Sequence, residues 1–177
     1  MSIYIPKIKN YAPFYMQKVT DSAATDIQQT YGVTIKQHDY PMQLAVKEPY
    51  KNEWKDEDGD DEYLGKIFFE AKEISYDCVI LVEKSTSDAA RTELRTLVDN
   101  FQRFVASGEL LTFDSYTKFG FTGVRLIEFS QISEGNFKEL DGKGRVIFTM
   151  RLKVDNPLSE TELSNGKIVP KVTTAWR

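Results

Sequence analysis

SDAARTELRTLVDNFQRFVASG, residues 87–108, decides the fold of this chain. Ala90, Leu94, Leu97, Val98, Phe101, Phe104 and Val105 recur three and four apart, so they share one stripe of a helix while charged residues take the other side. The stripe predicts an amphipathic helix over 87–107 packed on a core. Ser87 is placed to cap its first turn, Asp88 suits the positive end of its dipole, and Gly108 suits a left-handed position past its last turn. At about 1.5 Å per residue the helix spans roughly 30 Å.

Strand patterns flank it on both sides. YDCVILVE, residues 76–83, is an apolar run that reads as a buried strand, and residues 66–75 either continue it around a bend or form a second strand. After the helix, residues 109–116, 121–132 and 144–154 read as strands separated by glycine-containing turns at 118–120 and 134–143. In RVIFTMRLKV, residues 145–154, Val146, Phe148, Met150, Leu152 and Val154 alternate with Arg145, Thr149, Arg151 and Lys153. Ile147 is the apolar exception on the outer face. One dry face and one wet face belong to an antiparallel sheet. The fold class that follows is α+β, a mainly antiparallel β-sheet or barrel packed against one long amphipathic helix.

At 177 residues, 41% hydrophobic and 28% charged, the chain has the composition of one folded domain. Residues 1–157 are read as that domain, with 1–50 irregular and aromatic-rich; inside this region a strand over 31–37 and a short helix over 22–29 compete. Asn156-Pro157 ends the last long strand. Residues 158–177, with an Asn165-Gly166 turn signal, are read as an arm or marginal hairpin.

A net charge of -4 argues against a general nucleic-acid binder, which needs a surplus of Lys and Arg. A single cysteine, Cys78, excludes an intramolecular disulfide. The N-terminus lacks a signal-peptide core and no 18-residue apolar run occurs, so neither secretion nor a membrane partner is expected.

Motifs for chemistry are sparse, and neither a catalytic residue nor a cofactor is expected. Asp56, Asp58 and Asp60 alternate like the first ligands of a calcium loop, but Gly59 falls at the fourth position instead of the sixth, and the twelfth is Ile67 where a bidentate Glu is needed. The acidic stretch 54–65 therefore reads as a solvated loop. His38 is the only histidine and has no nucleophile motif beside it. Cys78 sits in an apolar strand, as inert buried thiols do. GFTG at 120–123 and DGKGR at 141–145 lack phosphate-loop spacing and read as hairpin turns. Tyr11, Phe14, Tyr15, Trp54 and Trp176 are the candidate interface residues, since aromatics in irregular segments serve either a core or a subunit contact.

The segments ISYDCVILVEKS, TELRTLVDNFQRFVASGELLTF, TGVRLIEF and GRVIFTMRLKVDNP, in that order, resemble the distal tail protein family of bacteriophages. The resemblance implies a non-enzymatic structural protein that self-associates into a hexameric ring at an end of the tail tube and meets other tail proteins. It implies assembly in the cytoplasm of a bacterial host, then residence in the virion tail. Tail terminator and head–tail completion proteins look similar at this level; a small intracellular binding module unrelated to phage is the other reading.

Overall fold

The computed structural model of the chain describes residues 12–36, 44–47, 51–52, 61–62 and 68–171, with 51–52 and 61–62 described by backbone alone. The first strands are β1 (Phe14–Lys18), β2 (Thr25–Asp26), β3 (Val33–Ile35), β4 (Lys51–Asn52), β5 (Asp61–Glu62) and β6 (Lys72–Glu83), with the short helix α1 (Ile27–Tyr31) between β2 and β3. The long helix α2 (Ser87–Val105) follows, then β7 (Leu110–Asp114), β8 (Val124–Ser130), β9 (Lys138–Leu140), β10 (Lys143–Val154), β11 (Thr161–Ser164) and β12 (Lys167–Pro170).

β6 and β10 pair antiparallel over their whole length, from Lys143↔Glu83 to Val154↔Lys72. Opposite residues in a ladder share a face, so Ile74, Tyr76, Cys78, Ile80 and Val82 join Val146, Phe148, Met150, Leu152 and Val154 in one buried surface. α2 lies across it, and all seven residues of its apolar stripe are buried. Each large apolar side chain removed from water contributes about 1.5–3 kcal/mol, which is what holds a 19-residue helix that propensity alone leaves marginal. Phe101 is the hub, with ring centroids 5.7, 5.9 and 6.2 Å from those of Tyr31, Phe129 and Phe148.

The helix comes close to the sheet at Gly144. A Cβ there would stand 2.8 Å from Val82 Cγ2, 2.9 Å from Leu94 Cδ1 and 3.3 Å from Ala90 Cβ. Both helix ends differ from the sequence reading. Thr86, in extended conformation, is the N-cap, its Oγ1 accepting from Ala89 N at 3.2 Å, and Ser87 is already helical. At the other end Ala106 caps in right-handed geometry, Ser107 Oγ donates to Phe104 O at 2.6 Å, and Gly108 lies beyond at φ 141°, outside the left-handed helical position.

The main sheet is antiparallel, ordered β2-β1-β7-β8-β10-β6-β3, with β9 pairing β10 beside Lys143–Arg145. It curls into a half-barrel around α2, the one helix of seven or more residues among the described residues. The join of β7 to β8 is narrow: Leu110↔Val124 is their single paired position. The rest of the β7 edge is taken by the connection to β8, through Thr112 with Phe121 and Asp114 with Phe119. From Arg125 to Ser130, β8 is laddered only to β10 among the described residues.

Residues read as one bent strand or two are one strand from Lys72, preceded by an isolated bridge, Val46↔Phe69. The helix expected over 22–29 starts later, at Ile27, where Asp26 Oδ1 accepts from Gln28 N and Gln29 N; the strand expected over 31–37 shortens to β3. Asp141 and Gly142 both take positive φ between β9 and β10, and Asn165 and Gly166 do the same between β11 and β12, the conformation that matches a two-residue hairpin to strand twist. Residues 158–171, read as the start of an arm or marginal hairpin, include a hairpin packed on β1 and β7. Thr161 Oγ1 donates to Thr112 O at 2.6 Å, Ile168 N donates to Gln17 Oε1 at 2.7 Å, and Ala24 N donates to Gly166 O at 2.8 Å.

Candidate functional site

Of the five candidate interface aromatics, two fall within the described residues. Phe14 is 4% exposed and meets Tyr76 edge-on at 5.3 Å, so of its two readings the core is the one observed. Tyr15 is half-buried between Asp26 and Phe113 in the ladders; burial, and then the Asp26 carboxylate, push its phenol above the ordinary value. Tyr11, Trp54 and Trp176 lie outside the described residues, as do His38 and the calcium candidates Asp56, Asp58 and Asp60.

Cys78 is fully buried, its Sγ 3.6 Å from Tyr76 O, and burial drives the thiol far above its ordinary value, with Asp77 adding to the shift. A thiol held protonated in this way is a poor nucleophile. Among the described residues no three His, Cys, Asp or Glu side chains are placed to hold a metal ion, and no helix is long and apolar enough to cross a membrane.

Two surface regions stand out among the described residues. The first is the outer face of β6, β10 and β8. Arg151 forks between Glu73 Oε2, at 2.7 Å, and Glu128 Oε1, while Thr149 Oγ1 donates to Asp77 Oδ1 at 3.0 Å. The hydrogen bond to Glu128, then that to Glu73, hold the guanidinium charged. Exposed pairs of this kind contribute little to stability. Towards the other end, Ile147 pairs with Val79 and Arg145 with Leu81, so the exception read in the sequence belongs to a half-buried apolar strip.

The second is a groove of about 400 Å³, with Lys47, Phe68 and Phe69 on one wall and Asp155, Asn156, Pro157 and Leu158 on the other. Lys47 N donates to Phe68 O and Glu70 N to Ala45 O, at 2.9 and 2.8 Å, which fixes the first wall beside the start of β6. The second is the turn after β10. Asn156 Oδ1 accepts from Leu158 N at 3.2 Å, Ser159 N donates to Asn156 O at 3.0 Å, and Pro157 takes the position a tight turn favours. Leu158 is thereby displayed, 57% exposed, with Phe68 at 55%. Asp155 is tied to Arg125 at 2.6 Å.

Among its described lining residues the groove has no nucleophile beside a base, and its apolar walls suit binding more than chemistry. Its residues escaped sequence analysis because they come from two distant segments with no shared period. One local trace existed: consecutive strand residues face opposite sides, so the Phe68-Phe69 doublet forces one ring outward. Comparison with known protein families and with curated proteins found no match for this chain.

Proposed function

We propose that the chain is a non-enzymatic structural protein of a phage or prophage tail that associates with copies of itself into a ring at an end of the tail tube. The resemblance to distal tail proteins supports this reading and implies a hexamer. In fold-class terms the reading is α+β, an incomplete barrel closed on one side by its helix. The observation that carries the self-association is the edge of β8, where Arg125–Ser130 is laddered to β10 alone among the described residues. Backbone N–H and C=O groups along such an edge template pairing with another chain. β3 ends the sheet on the opposite side, and two unlike edges on one subunit suit a heterologous contact that closes into a ring.

Light scattering across a concentration series tests it. A ring predicts one discrete multiple of the 20.3 kDa chain that grows in at the expense of monomer. Ile127, 39% exposed within this edge, should matter: Ile127→Lys is expected to abolish the oligomer while leaving circular dichroism unchanged. A chain monomeric at every concentration, or an oligomer indifferent to this substitution, would refute the edge as the contact.

A further inference from the structure

The outer sheet face changes character where β9 turns into β10. β9 sets Lys138 directly opposite Arg145 and Leu140 opposite Lys143. Between them Glu139 turns to the helix side, its Oε1 3.4 Å from Arg91 Nε. Lys138, Leu140, Lys143 and Arg145 therefore point away from α2, and all four are exposed, Leu140 by 74%. Two cations facing each other across a ladder destabilise it. Farther along the same face charge is matched, with Arg151 between Glu73 and Glu128 and Arg125 on Asp155. At this end, among the described residues, Lys138 Nζ reaches only Gly135 O, at 3.5 Å, and Glu83 stands opposite Lys143 without an ion pair.

Apolar surface lies beside these cations. Leu81 flanks Arg145 and Ile147 follows it on β10, both half-buried, and a hollow of about 220 Å³ is lined by Leu81, Val82, Glu83, Lys143, Gly144 and Arg145. We propose that this face binds an acidic segment of a partner protein, with its carboxylates on Lys138, Lys143 and Arg145 and an apolar side chain in the hollow against Leu81. Charge complementarity selects the partner's sign. The apolar strip selects a peptide, because a phosphate chain offers it nothing to bury, and a chain of net charge -4 repels a polyanion outside this one patch. A charge opposition left uncompensated in an otherwise consistent sheet is where a binding surface is expected. The inference stands apart from ring formation, since neither β8 nor β3 contributes a residue to it.

The test uses the full chain and two dye-labelled peptides, EELEELEE and EEEEEEEE, followed by fluorescence anisotropy. The proposal expects EELEELEE to bind, to bind more tightly than EEEEEEEE, and to lose affinity as salt is raised. Lys138→Glu and Arg145→Glu should each weaken it by about tenfold or more. Lys138→Glu also puts an acid opposite Arg145, so its urea midpoint should rise above the parent's, whereas a residue with a merely structural role would lose stability together with binding. Absence of EELEELEE binding overturns the proposal, as do equal affinity for the two peptides and binding that survives both charge reversals. Single-stranded DNA bound more tightly than EELEELEE also overturns it, and assigns the face to phosphates. A lower urea midpoint for Lys138→Glu removes its basis, because the two cations would then not oppose each other. A failure of ring assembly leaves every one of these readouts unchanged.

Discussion

Gly144→Ala offers a direct test of how α2 is seated. The added methyl would stand 2.8 Å from Val82 Cγ2 and 2.9 Å from Leu94 Cδ1, with Ala90 Cβ at 3.3 Å. The Leu94 contact is the end of a flexible side chain and yields by rotation. Ala90 Cβ is bonded directly to its Cα, and Val82 Cγ2 lies one bond further out on a β-branched side chain with a stiff χ1, so relieving them means moving the helix or the strand. Overpacking of a close-packed core costs about 1–3 kcal/mol. Removing a glycine from a strand returns about 0.4–1 kcal/mol by restricting the unfolded chain. The net is a loss of about 1–2 kcal/mol, which for a chain of this size lowers Tm by roughly 2–8 °C. Urea denaturation followed by circular dichroism measures it, with the slope m expected to stay constant because the surface exposed on unfolding is the same. Stability equal to or above that of the parent would mean that the helix does not approach the sheet at this point.

Thr86→Ala should cost about 1 kcal/mol and Ser87→Ala much less, a contrast in urea midpoints that discriminates the two candidate caps. Gln17→Leu removes the acceptor of Ile168 N; leaving a buried N–H unpaired costs about 1–3 kcal/mol, and hydrogen exchange at Ile168 should accelerate ahead of exchange in β6 and β10. Burial holds the Cys78 thiol protonated in the folded state, whereas the unfolded thiol ionises near about 8.5. This group's contribution is therefore fully present below that pH and declines above it, by up to about 1.4 kcal/mol per pH unit. Between pH 8 and about 10 the stability of the parent should fall more steeply than that of Cys78→Ala, and equal slopes in paired urea titrations would contradict the burial. The same thiol should react with a thiol reagent only as fast as the chain unfolds.

Long periodic segments were legible because their pattern spans several turns or strand pairs. The stripe from Ala90 to Val105 and the alternation from Val146 to Val154 needed nothing beyond spacing. The helix cap was misread by one residue because Thr86 and Ser87 are chemically alike, and the choice between them rests on where the chain leaves the sheet. That exit is held by Lys84 N donating to Gly142 O at 2.8 Å, a contact between segments far apart in sequence. The Asn165-Gly166 turn was visible locally, while the seating of its hairpin was not, since the key acceptor, Gln17, lies 151 residues from Ile168. The groove was hidden for the same reason, with Phe68 and Leu158 brought together by the register of β6 and β10 instead of by any motif.

The narrow join between β7 and β8 bears on how such a subunit deforms. On either side of it the ladders are long, five residue pairs from β1 to β7 and twelve from β10 to β6. At Leu110↔Val124 a single rung holds, backed by the buried side chains of Leu110, Val124 and Phe121. Beyond that rung the seam is held by side-chain packing and by the backbone bonds of Thr112 with Phe121 and Asp114 with Phe119 in the connection, a shorter row of bonds than the ladders on either side. Load applied along a sheet edge would concentrate there, and the radius of curl would adjust there first, without unzipping a ladder. In the ring we propose, a subunit would find its tolerance for closure at that seam.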